Sequence, residues 1–90
     1  MDAYVNTRVL EEMRSDMDNC KKKLDQCIVL IKHEYRIADA VLAGEQFEKF
    51  KVQAETACQN ITQAIDGLQK AAAFLKELEP EIHHYDGTRY

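Results

Sequence analysis

The sequence predicts an all-α protein, an antiparallel helical hairpin expected to dimerise into a four-helix bundle. Apolar residues recur at steps of three and four along both halves of the 90-residue chain. Strand-like alternation is absent, and the only Pro is Pro80. A lone mid-chain Gly, Gly44, falls where the repeat loses phase.

The first helix is predicted over about residues 4–42. Its seam is read from Leu10, Met13, Met17, Cys20, Leu24, Cys27 and Ile31, resuming at Ala38 after Glu34. A turn is predicted at about 43–46. There Gly44 supplies the left-handed backbone that a reversal requires, at no Cβ cost. The second helix is predicted over about 46–79. It opens with Glu45 and Glu48 near the positive end of its dipole. Its seam is read from Phe47, Phe50, Ala54, Ala57, Ile61, Ala64, Leu68, Ala71, Leu75 and Leu78. Pro80 lacks an N–H and its ring crowds the preceding turn. Pro80 therefore predicts a kink or stop near Glu79, with a short tail or helix restart over 80–90.

Two helices share one seam, and a single hairpin leaves apolar flanks in water. A second stripe beside the seam is read as the dimer interface, with Ile28 and Tyr35 on the first helix and Ile65 and Phe74 on the second. The expected partner is another copy of the chain or a similar helical hairpin. Cys20, Cys27 and Cys58 are read as small buried hydrophobes, with Cys27 and Cys58 about one helical turn out of register for a bridge.

Composition excludes several function classes. The net charge is -4, with no clustered basic surface for phosphates, so no nucleic-acid partner is expected. Lys21, Lys22 and Lys23 have Asp16, Asp18 and Asp25 nearby and read as a solvated face. Apolar runs are too short for a membrane span. A basic-then-apolar leader is absent from "MDAYVNTRVLEEMRSD". The expectation is a cytoplasmic protein, or one secreted without a cleaved signal peptide. The cysteine spacing fits no common zinc motif, and His83 and His84 point in different directions, so no metal and no cofactor are expected. Paired carboxylates, a nucleophile–His arrangement and a phosphate loop are all missing. The predicted seam also lacks the Arg and Lys that a dicarboxylate-binding helical dimer would need. No catalytic residues are assigned, and the chain is expected not to be an enzyme.

The stretch "LAGEQFEKF" resembles the turn of the Trp-X-Gly family, the small helical-hairpin proteins of type VII secretion in Gram-positive bacteria. Leu42 stands at the family's Trp, Gly44 at its Gly and Phe50 at its later aromatic, with Phe47 starting the seam beneath. A Leu at the first position also resembles the Leu-X-Gly variant found at the head of secreted toxins. The resemblance spans the chain as architecture. It implies a secreted substrate, or a targeting partner for a secreted toxin, that acts by helix–helix binding. The implied partners are a paralogous hairpin, a toxin's N-terminal helical domain and the secretion ATPase. The family's C-terminal Tyr-X-X-X-acid signal is not matched, because Tyr85 is followed at that spacing by Arg89 and the acid is adjacent, at Asp86. This implies export on a partner's signal. The same stripes also suit an intracellular coiled-coil adaptor with no secretion role.

Overall fold

The apolar repeats produce two α-helices in the computed structural model, α1 over Thr7–Val41 and α2 over Gly44–Thr88. They pack against each other as a helical hairpin. The structure describes the backbone of residues 7–88 and the side chains of residues 7–79. The tail residues His83, His84, Tyr85, Asp86 and Arg89 thus lie outside the described side chains.

The reversal is tighter than the predicted 43–46 turn. The Leu42 N–H donates to the Ala38 carbonyl at 2.8 Å, closing the last turn of α1. Among the described residues only Leu42 and Ala43 lie outside the helices, and Gly44 opens α2 with φ at +59°. A left-handed residue at this point turns the chain without a longer loop, which moves the start of α2 from about 46 to Gly44. Glu45 occupies the first turn of α2 and pairs with Lys49 at 3.2 Å.

The predicted stop at Glu79 is also corrected, because α2 continues through Pro80 to Thr88. Proline's fixed φ is itself a helical value. The turn before it is anchored by the buried Leu75 and the half-buried Leu78 and Glu79. The helix therefore forgoes one backbone hydrogen bond and persists.

Two compact units divide the hairpin. One comprises Met1–Lys21 with Gly67–Tyr90, and the other Lys22–Asp66. In the unit that holds the chain ends, Leu10 and Leu75 are buried. In the unit that holds the reversal, Ala38 and Ala54 are buried. Leu24, Ile28, Ile31, Tyr35, Phe47, Cys58, Ile61 and Ile65 around them are half-buried. In the unit that holds the chain ends the buried points are both Leu, and in the unit that holds the reversal both are Ala. Larger residues flank them and stay partly in water, as two helices alone must leave them.

This burial pattern re-phases the predicted seam of α1. Leu10, Met17, Leu24, Ile31 and Ala38 face inward as expected. Between them the covered residues are Arg14, Lys21, Ile28 and Tyr35, while Met13, Cys20 and Cys27 are exposed. Each intervening position is one residue later than read, so the step is four then three. The sequence misleads here for a physical reason. Arg14 and Lys21 read as polar, yet both are half-buried at the seam, Arg14 reaching Glu79 on α2 and Lys21 pairing with Asp18 on its own helix. In α2 the same shift exposes Ala64 and covers Ile65.

Candidate functional site

The reversal positions the residues singled out as a recognition motif. Leu42, Phe47 and Phe50 are half-buried there, and Gly44 and Ala43 are exposed. The Phe47 ring meets Tyr35 edge to face, with centroids 5.5 Å apart and an interplanar angle of 64°. This geometry places the positive ring edge on a negative face. It joins the last turns of α1 to the first turn of α2 beside the turn. Val41, at 71% exposure, is the most open large apolar side chain at this end. The arrangement offers the exposed Val41 and Ala43 on a two-residue reversal, bordered by the Glu45–Lys49 ion pair.

The four predicted interface residues separate. Ile28, Tyr35 and Ile65 are half-buried within the single chain, where they were expected to be left uncovered. Phe74 is 58% exposed. The re-phasing explains the split, since Ile28, Tyr35 and Ile65 are seam residues of their own hairpin.

Sequence reasoning missed a second stripe on α1. In the unit that holds the reversal, Lys23, Cys27, Leu30, Glu34, Ile37 and Val41 recur at steps of four and three, and all are exposed. Leu30 is 62% exposed and Ile37 43%. The signal was present in the spacing but was split between the assumed seam and its flank.

In the unit that holds the chain ends, an open crevice of about 550 Å³ lies between the helices. Arg14, Lys21 and Lys76 line it with Glu11, Asp18 and Gln69. The seam thus does contain Arg and Lys, contrary to the expectation. Their charges are engaged: Arg14 Nη2 donates to Glu79 Oε1 at 2.5 Å, and Lys21 Nζ lies 3.7 Å from Asp18. Arg14 Nε is buried without a hydrogen-bond partner. Positive and negative groups alternate around the crevice, which gives no concentrated field for an anion.

The remaining features are structural. Thr62, the last residue of the sequon-like Asn60-Ile61-Thr62, lies mid-helix, where its hydroxyl donates to the Cys58 carbonyl at 2.8 Å. Cys20, Cys27 and Cys58 are free thiols. Among the described residues, no cluster of three or more His, Cys, Asp or Glu is placed to hold a metal ion. Among the same residues, no helix is long and apolar enough to cross a membrane. Comparison with protein-family models, with curated proteins and with solved structures finds no match for this chain.

Proposed function

We propose that the chain is a small helical-hairpin subunit of a type VII secretion system. It acts by helix–helix binding, as a secreted substrate or as the targeting partner of a secreted toxin. The observation that carries this reading is the left-handed Gly44, two residues after Leu42 and six before Phe50. That is the turn spacing of the Trp-X-Gly resemblance. The reversal needs a Gly for backbone reasons alone. The apolar residues around it do not follow from that need, and Leu42, Phe47 and Phe50 form with Val41 a tip suited to an apolar docking groove. The partner is a second hairpin or a toxin's helical domain, and the secretion ATPase would read the assembled tip.

Export assays in a Gram-positive host with an intact type VII system test the reading. Secretion is expected to require a co-expressed partner, and Leu42→Asp is expected to abolish it while helicity by circular dichroism persists. Export of the chain alone, unchanged by Leu42→Asp, would overturn the proposal in favour of the intracellular adaptor.

A further inference from the structure

We propose that the unit holding the chain ends opens in a single step while the unit holding the reversal stays folded, with Arg14 and Glu79 as the latch. Both units are built from the same two helices, and the chain-end unit comprises Met1–Lys21 and Gly67–Tyr90. Their seams differ in kind. From Leu24 to Ala38 the covered side chains on α1 are Leu24, Ile28, Ile31, Tyr35 and Ala38, all apolar or aromatic. From Leu10 to Lys21 apolar and cationic residues alternate, as Leu10, Arg14, Met17 and Lys21.

Three further features weaken the closed form of the chain-end unit. Arg14 Nε is buried without a hydrogen-bond partner, and opening returns it to water. The crevice of about 550 Å³ reaches between the helices over Ala72 and Ala73, so the helices forgo packing contact there. Gly67, where the unit begins on α2, has open space at the Cβ position and no left-handed φ. Neither packing nor backbone geometry calls for a Gly at this point, so its effect is to lower the stability of the helix.

The closed form is held by the buried Leu10 and Leu75 and by the Arg14–Glu79 pair, which runs from α1 to α2. Cooperative segments with few buried apolar contacts open at lower free energy than the whole fold. Opening uncovers Leu10, Met17, Leu68 and Leu75 together and leaves Tyr35 packed on Phe47. The hairpin thus has a switchable end and a fixed one. This inference concerns the chain alone and does not rest on the secretion reading.

Native-state hydrogen exchange, read at each amide by NMR, tests it. The amides of Arg14, Met17, Leu68 and Leu75 are expected to share one level of protection, roughly tenfold or more below that of Ile31, Tyr35, Ala54 and Ile61. Ile61→Val should speed exchange in the second set several-fold and leave the first unchanged, because the first set exchanges before the reversal unit loosens. Glu79→Ala should speed both sets by a similar factor, on the order of tenfold, since both exchanging states lie beyond the opened latch. Gly67→Ala should slow both by about two- to fivefold. Equal protection in the two sets would overturn the proposal, as would Ile61→Val speeding both alike. Protection that climbs gradually from Leu10 to Ile31 would overturn it too, because that is fraying from the ends and not a single step.

Discussion

Tyr35 and Phe47 stand edge to face at 5.5 Å across the reversal, tying the end of α1 to the beginning of α2. Both rings are half-buried, so the contact combines apolar burial with an aromatic pair term of about 0.5–1.5 kcal/mol. Phe47→Ala is expected to cost roughly 2–3 kcal/mol, below the range for a fully buried Phe. Tyr35→Phe keeps the ring and should be nearly neutral. Urea unfolding of the two variants separates these outcomes. Equal losses would mean that the Tyr hydroxyl, and not the ring pair, holds the turn.

Gly44 and Gly67 should respond oppositely to alanine. At Gly44 a Cβ would meet nothing within 4 Å, but φ is +59°. The cost of Gly44→Ala is therefore a backbone cost of about 1–2 kcal/mol. Gly44→Asn should lose less, because Asn tolerates the left-handed region. At Gly67 a Cβ would also meet nothing within 4 Å, and the position is inside α2. Gly67→Ala should raise stability by roughly 0.5–1 kcal/mol. Thermal unfolding is expected to show melting temperatures that move in opposite directions.

Arg14 and Glu79 form a partly shielded pair, with side chains 29% and 18% exposed. Glu79→Ala leaves the guanidinium in a seam position without its acceptor. The expected loss is about 1–2 kcal/mol, after allowance for solvent screening. Replacing both partners by Leu should recover that loss or exceed it, since apolar residues at a seam need no charge compensation. A double-mutant cycle in denaturant measures the coupling, and additive single losses would show that the pair contributes nothing beyond its stems.

The hairpin was legible because the heptad residues Leu10, Met17, Leu24, Ile31 and Ala38 share their period with Phe47, Ala54, Ile61, Leu68 and Leu75. The position of the reversal was legible because Gly44 interrupts that period. The phase between heptad residues was not. On α1 the positions one step to either side, such as Cys27 and Ile28, are both apolar, so periodicity alone could not choose between them. Near the chain ends Arg14 and Lys21 occupy inward positions that a polarity rule assigns to solvent. The interface residues inherited this error, because Ile28, Tyr35 and Ile65 were placed on a flank. The run of α2 through Pro80 escaped for a different reason, because a helix-breaking rule carries no information about how firmly the preceding turn is packed.

Thiol reactivity gives the most direct reading of the corrected phase. Cys27 and Cys20 are exposed, and Cys58 is half-buried beside the seam. With a large aromatic disulfide reagent, Cys20 and Cys27 should react readily in the native chain, and Cys58 more slowly. If Cys27 had been a seam residue it would be the slow one, so single-cysteine variants distinguish the two phases.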